Sequence, residues 1–141
     1  MIKQHSGKPN IEAYKKTAST VFAKDSAVTV TSGLLVPADE ATPRSAIIGI
    51  IQRDVLATDA DYASQTAVPV VVLDNNPDEF IADVGAGSAV QSMVGGLYDL
   101  HDDGASIDVG AQLVKCFRIT KIISTTKVVG RFETSNLDTN T

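Results

Sequence analysis

The residues best suited to chemistry form an acidic cluster that includes one histidine. The cluster comprises Asp99, His101, Asp102, Asp103 and Asp108. Hard cations such as Ca²⁺ bind where several carboxylate and carbonyl oxygens converge on one point. However, an Asp-Asp-Gly sequence between two alternating stretches is also typical of an ordinary hairpin turn. We therefore expect a turn here and no specific metal site.

A second oxygen-rich stretch covers residues 74–79, with the sequence Asp-Asn-Asn-Pro-Asp-Glu. It lacks both the ligand spacing and the central glycine of an EF-hand calcium loop. Asn and Pro are common in turns because of their backbone preferences. This stretch too is interpreted as a turn, so the sequence predicts no bound metal.

No catalytic motif is complete. Gly85-Ala86-Gly87 begins like a phosphate-binding loop, but position 90 is Val and no Lys-Ser or Lys-Thr follows. Cys116 has only His5 and His101 as possible partners, and neither lies in a cysteine-enzyme signature. No nucleophile-elbow sequence is present. We therefore expect no enzyme activity, no cofactor and no small-molecule substrate.

The composition favours a β structure in which these residues lie on turns. The 141 residues include 16 Val, 11 Ile and 13 Thr against 8 Leu. β-branched side chains suit a pleated strand better than a helix. Asp outnumbers Glu by 13 to 4, and its short side chain favours turns and caps. The prediction is an all-β fold, a small barrel or sandwich of short antiparallel strands.

Ten strands are predicted from runs of apolar and β-branched residues between turn signals. Two of these runs, Ile47–Ile51 and Val70–Leu73, are almost continuously apolar and are predicted to be buried on both faces. In the last hairpin the alternation falters at residues 121–123, which predicts a β-bulge. The predicted strands cover residues 21–22, 27–31, 47–56, 67–73, 80–84, 89–94, 97–100, 106–109, 113–123 and 127–132.

The two ends of the chain differ from the predicted β domain, residues 21–133. Residues 1–24 carry a net charge of +4, residues 25–114 a net −12, and residues 115–141 a net +3. The acidic body argues against nucleic-acid binding, which requires a basic surface. No apolar run is long enough for a membrane span, so no membrane partner is expected. Residues 134–141 are predicted to be a polar tail.

Residues 1–20 are predicted to form a flexible N-terminal arm. Gly7 and Pro9 oppose regular structure, while scattered lysines and large apolar groups suit an extended segment that lies on another protein. The arm is expected to contact a partner protein or a neighbouring copy of the chain. The residues expected to make that contact are Ile2, Lys3, Lys8, Pro9, Ile11, Tyr14, Lys15 and Lys16.

Read as a whole, residues 20–133 resemble the head decoration, or capsid cement, proteins of tailed DNA bacteriophages, and five segments carry the resemblance. The segments are Ile81–Ala89, Met93–Leu100, Ser106–Val109, Phe117–Lys121 and Lys127–Phe132. The resemblance implies a compact, β-barrel-like body, often a homotrimer. Such a protein binds the major capsid protein on the outside of an assembled capsid and stabilises it. It would be made in the cytoplasm of the bacterial host and end on the exterior of the virion.

Two other functions remain as alternatives. The chain could be a different virion component, such as a tail-tube or head-completion protein. The stretches Leu97–Leu100 and Ser106–Val109 also resemble two motifs of trimeric dUTP pyrophosphatases. In that family a tyrosine that packs on uracil follows the catalytic aspartate, and no tyrosine follows Asp108 here.

Overall fold

The computed structural model describes residues 1–5, 9–73 and 78–133. This part of the chain contains strands and two short 3-10 helices, Arg44–Ala46 and Gln91–Met93, and no α-helix. The all-β prediction is therefore confirmed. The strands are β1 (Ile2–Gln4), β2 (Ile11–Lys15), β3 (Ala27–Thr31), β4 (Leu34–Pro37), β5 (Ile47–Ile51), β6 (Ala67–Val72), β7 (Phe80–Ala86), β8 (Leu97–Leu100), β9 (Ile107–Asp108), β10 (Phe117–Ser124) and β11 (Lys127–Phe132).

One sheet contains six strands in the order β1-β7-β11-β10-β8-β9. A short parallel pairing between β7 and β9 joins the sheet back on itself. The other pairs are antiparallel. In the β10–β11 hairpin the register shifts between Ile119 and Lys121 and again between Ile122 and Ser124. The predicted bulge is therefore confirmed, and a second one lies just before it.

The other sheet contains five strands in the order β2-β6-β5-β3-β4, with antiparallel neighbours. Its first and last strands meet at a parallel bridge between Lys16 and Leu35. The amide of Thr17 donates to the carbonyl oxygen of Leu35 at 3.0 Å beside this bridge. The sheet thus closes into a small barrel, which covers most of its strand edges.

The core has two parts because strands β5 and β6 are buried on both faces, as predicted. Ile51 and Val70 belong to a cluster inside the five-stranded barrel. Ile50 and Val71 belong to a larger cluster shared with the six-stranded sheet. Near-continuous apolar runs are what a strand between two packed layers requires.

The prediction of a flexible arm at residues 1–20 is wrong. Strand β1 pairs with β7 and strand β2 pairs with β6, so the N-terminal region supplies one strand to each sheet. Ile2 is fully buried in the larger core. Residues 2–4 and 11–15, which were assigned to an arm, are therefore strands of the two sheets. Lys8 and the predicted tail, residues 134–141, lie outside the described residues.

Three further strand predictions need correction. Residues 89–94 contain a 3-10 helix in place of a strand, and residues 113–116 form a loop before β10 begins at Phe117. The predicted strand 47–56 ends at Ile51, and beyond it only Val55 pairs, at an isolated bridge with Phe22. Strand β4 was not predicted, because its short apolar run lies between turn signals.

Candidate interaction surface

The loop at residues 110–115 is held from inside by the buried carboxylate of Asp99. Asp99 lies on β8 and is 2% exposed. Its oxygens accept hydrogen bonds from the amides of Leu113 at 3.0 Å, Val114 at 2.8 Å and Lys115 at 2.8 Å. A buried carboxylate is costly unless hydrogen bonds replace its hydration, and bonds to a charged acceptor are strong. The arrangement therefore fixes the backbone of this loop.

This loop displays a leucine to solvent. Leu113 is 93% exposed, although its backbone is anchored. The side chain of Gln112 donates to the carbonyl oxygen of Leu97 at 2.9 Å, and buried Arg44 donates to that of Lys115 at 3.4 Å. We call the exposed side chain of Leu113, on residues 110–115, the Leu113 knob. An apolar side chain on a fixed loop suits contact with a protein partner, since little conformational entropy is lost on binding.

A second loop, residues 56–66, is held in the same way by a buried cation. Lys16 is fully buried. Its ammonium group donates to the carbonyl oxygens of Asp61 at 2.7 Å, Tyr62 at 3.3 Å and Ser64 at 2.6 Å. Lys16 was predicted to contact a partner, and that prediction is wrong because its charge is used entirely within the fold.

An ion pair ties the same loop to the end of the barrel. Arg53 makes a two-pronged pair with Asp61, with Nη1–Oδ2 at 2.9 Å and Nη2–Oδ1 at 2.7 Å. The hydroxyl of Thr66 donates to the same carboxylate at 2.6 Å. Hydrogen bonds from Arg53 and Thr66 stabilise the charged form and hold the pKa of Asp61 well below its usual range. The hydrogen bond to Asp61 likewise raises the pKa of Arg53.

This loop exposes one large apolar side chain, and a second lies beside it on a neighbouring segment. Leu56 is 50% exposed and Val21 is 52% exposed. They flank the antiparallel bridge between Phe22 and Val55, so they are cross-strand neighbours. Asp59 turns inward, where its carboxylate accepts the amide of Leu56 at 2.9 Å. We call Val21 and Leu56 the Leu56 surface.

Three of the predicted arm residues lie around a groove between the two sheets. Lys3, Pro9 and Ile11 line this groove, which has a volume of about 310 Å³. Ile2 is excluded from any contact with a partner because it is buried in the core. Lys15 is exposed on β2, and Tyr14 packs against the barrel core. Contact of these residues with a partner remains a prediction.

The acidic residues around position 101 do not converge on one point, although Asp99 and Asp108 are register partners on β8 and β9. Asp99 holds the loop described above, and Asp108 accepts the amide of Gly110 at 2.8 Å. Asp102 lies 3.1 Å from Nε2 of His101. Asp103 accepts the amide of Ala105 at 2.8 Å within the turn. Each carboxylate thus serves a different local contact, and the described residues contain no group of three His, Cys, Asp or Glu side chains that could hold a metal ion. Residues 74–77 of the second acidic stretch lie outside the described part.

The buried hydroxyl of Ser106 is not activated by the nearby histidine. Its Oγ donates to Asp103 at 3.0 Å, while His101 pairs with Asp102. Gly85 packs directly on Ser106 and His101, since a Cβ at position 85 would lie 2.1 Å from Oγ of Ser106. The glycine therefore permits close packing of strand β7, which explains it without a phosphate ligand.

Cys116 is also unsuited to act as a nucleophile. It is fully buried in the larger core, and burial raises the pKa of its thiol to about 12. The thiolate is the reactive form of cysteine, and it is scarce at neutral pH when the pKa is high.

Comparisons with protein-family models, with curated proteins and with solved structures found no match to the chain. The likeness to phage decoration proteins therefore rests on the five segments quoted above. In the described part of the chain, no helix is long and apolar enough to cross a membrane.

Sequence reasoning did not find the roles that Asp99, Lys16 and Leu113 have in the two loops. The reasons differ for the three residues. Asp99 was grouped with neighbouring acids, although its position between apolar Tyr98 and Leu100 in a strand signals an inward-facing charge. Lys16 gave no signal, because a lysine at the end of a polar stretch is usually solvated. Leu113 was placed in a strand because it begins an apolar run.

Proposed function

We propose that this chain is a structural virion protein, a decoration protein that binds the outside of an assembled phage capsid and stabilises it. Its partner is the major capsid protein, and it acts as a homotrimer without a catalytic role. The observation that carries the proposal is the pair of loops locked from inside by the buried charges of Asp99 and Lys16, each with an exposed leucine outside.

The two loops favour a binding protein because one set of residues holds each loop in place and a different residue is free to contact a partner. Charged groups that would otherwise face solvent hold the backbone, and the outer side chains at Leu56 and Leu113 remain apolar. Exposed apolar groups on a rigid surface are typical of protein contact sites. Phage capsids supply many equivalent sites, so even weak binding to the assembled state shifts the equilibrium toward that state.

The resemblance adds the identity of the partner. Its five segments fall mainly on strands β7 to β11, which form the six-stranded sheet with β1. Decoration proteins act by covering a capsid. The proposed function therefore requires a stable fold and surfaces that contact the capsid and neighbouring copies, and it requires no reaction centre. We assign the contact with the capsid to the Leu56 surface, the broader of the two apolar exposures.

Binding to heads tests this proposal. Purified chain is mixed with expanded heads of the phage that encodes it, prepared without the protein, and the bound fraction is measured by sedimentation. Saturable binding to the heads is expected. Leu56→Asp should weaken binding roughly 30-fold, the scale of an interface hot spot. Val90→Asp, at an exposed valine outside the Leu56 surface, should change binding little. Absence of saturable binding by the unaltered chain would refute the proposal, and turnover of dUTP by the pure protein would favour the pyrophosphatase alternative.

A further inference from the structure

We infer that Arg44 forms a binding site for a small oxyanion, which is a carboxylate or a phosphate group. The site is the edge of the guanidinium group that carries Nε and Nη2, beside the loop of residues 110–115. We call this edge the Arg44 site. The inference concerns a ligand that the chain takes up, so it does not depend on the proposed binding to a capsid.

Arg44 differs from the other three arginines of the chain, which each lie 2.7 to 3.6 Å from a carboxylate. Those pairs are Arg53–Asp61, Arg118–Glu133 and Arg131–Glu133. Arg44 is buried, with 7% of its surface exposed. No carboxylate in the described part of the chain lies within ion-pair distance of it. A buried charge normally has a partner, so this one is unusual.

The hydrogen bonds of Arg44 are also incomplete. Lys16 and Asp99 are buried charges as well, and each has three hydrogen bonds to backbone groups. Arg44 has one, from Nη1 to the carbonyl oxygen of Lys115 at 3.4 Å. Its Nε and Nη2 donate to no other described residue, and neither atom is sealed from water. Donors that reach the surface are therefore available to a ligand.

The free donors are the pair that recognises oxyanions. Because Nη1 is held by Lys115, the side of the guanidinium with Nε and Nη2 remains open. The N–H groups on this side are parallel and match two oxygens of one carboxylate or phosphate group. A bound oxyanion would thus accept two charge-assisted hydrogen bonds and neutralise the arginine.

The Arg44 site is held in place before any ligand binds. Arg44 lies on the 3-10 helix that leads directly into β5, and the hydroxyl of Thr29 donates to the carbonyl oxygen of Ala46 in that helix at 2.6 Å. The carbonyl oxygen that holds Nη1 belongs to the loop that Asp99 anchors. A guanidinium group fixed in this way loses little conformational entropy on binding.

The charges near the Arg44 site favour an anion. Exposed Lys115 adds a second positive charge and forms no ion pair among the described residues. Burial raises the pKa of the Cys116 thiol, and the nearby Asp99 and Arg44 shift it in opposite directions, so Asp99 offsets part of the charge of Arg44. The oxygens of Asp99, however, bond to three amides and not to the guanidinium. Asp39, on the turn before Arg44, bonds within that turn.

Nuclear magnetic resonance of the arginine side chains tests the inference. In a nitrogen–proton correlation spectrum of the full chain, each Nε–H group gives its own peak. We expect the Arg44 peak to shift and saturate when sodium acetate or sodium phosphate is added, and the tighter of the two identifies the ligand. The peaks of the three paired arginines should shift little. Sodium chloride at equal ionic strength is the reference.

Two variants separate the fork of N–H groups from the charge. Arg44→Lys retains the charge and removes the fork, so anion affinity, measured from the backbone amide peaks of residues 113–115, should fall about 10-fold. Arg131→Lys, at an arginine that is already paired, should leave the affinity unchanged. Thermal melts check that both variants fold.

Two results would overturn the inference. One is an Arg44 peak in the unaltered chain that moves no further in acetate or phosphate than in chloride. The other is equal anion affinity in the unaltered chain and a folded Arg44→Lys variant. Neither result bears on the sedimentation assay with heads, which decides the proposed function separately.

Discussion

Asp99 and Lys16 place opposite charges in similar roles inside the fold. Each is buried and directs its hydrogen bonds to the backbone of a loop that is distant in sequence. Loss of either partner would leave several polar groups buried without a hydrogen bond, which costs more than the bond itself contributes. These two residues therefore determine how rigid the surface is.

Replacement of Asp99 tests this role at the level of one side chain. Asp99→Ala leaves the amides of Leu113, Val114 and Lys115 without their acceptor. We expect the free energy of unfolding to fall by about 2–4 kcal/mol, the scale of several buried unpaired groups. Urea denaturation measures the loss. Asp99→Asn retains one acceptor oxygen and should lose less, and equal losses in both variants would contradict the assignment.

The ion pair of Asp61 predicts a dependence on pH. Its pKa in the folded state is lower than in the unfolded chain, so the stabilisation is complete above the unfolded pKa of about 4 and is lost as the pH falls below it. Thermal melts at pH 7, 4 and 3 should show the midpoint of Asp61→Asn converging on that of the unaltered protein in acid. A midpoint difference that stays constant over this range would exclude the pair as a contributor.

At the scale of elements, β-branched composition predicted most of the sheet structure. Strands β3, β5, β6, β10 and β11 carry long apolar or alternating runs, and the buried faces of β5 and β6 follow from them. The two N-terminal strands were missed because they are short and contain lysines and a glutamate. Four of the five residues of β2 are exposed, so this strand has no apolar face to alternate with a polar one. The sequence of such a strand therefore resembles a polar arm.

The N-terminal strands should be essential to the fold. Deletion of residues 2–16 removes β1, β2 and the Lys16 anchor, so we expect loss of the cooperative thermal transition. Ile2→Ala alone should lower the free energy of unfolding by about 2–5 kcal/mol, since Ile2 is fully buried. Ile11→Ser, at an exposed position on β2, should change it by less than about 0.5 kcal/mol. A truncated chain that still melts cooperatively would restore the arm interpretation.

The candidate surface was less accessible to sequence reasoning than the fold. Its exposed leucines lie in runs that predict strands, and only the hydrogen bonds that Asp99 accepts from the loop show why Leu113 leaves the sheet. Contacts between residues 16 and 61, or 99 and 114, depend on how the two sheets pack. The alternation of apolar and polar residues within one strand does not show which residues of other segments it will contact.

At the scale of the whole molecule, a closed five-stranded barrel packs on a six-stranded sheet, and exposed leucines lie on two loops that buried charges hold in place. The net charge of −5 and the acidic central region would repel the phosphates of a nucleic acid, so we expect no nucleic-acid partner. We propose that the Leu56 surface joins the capsid. Assembly would then bring three identical capsid contacts together, which raises the effective affinity for a symmetric shell.

An image of the virion head tests the central claim most directly. Cryo-electron microscopy of heads that carry this chain should show three-fold protrusions on the outer surface, each with a mass of three times 14.8 kDa. The two-sheet fold should fit each third of the density with Leu56 toward the shell. Density for the chain inside the head or in the tail tube, or heads that never contain it, would contradict the account.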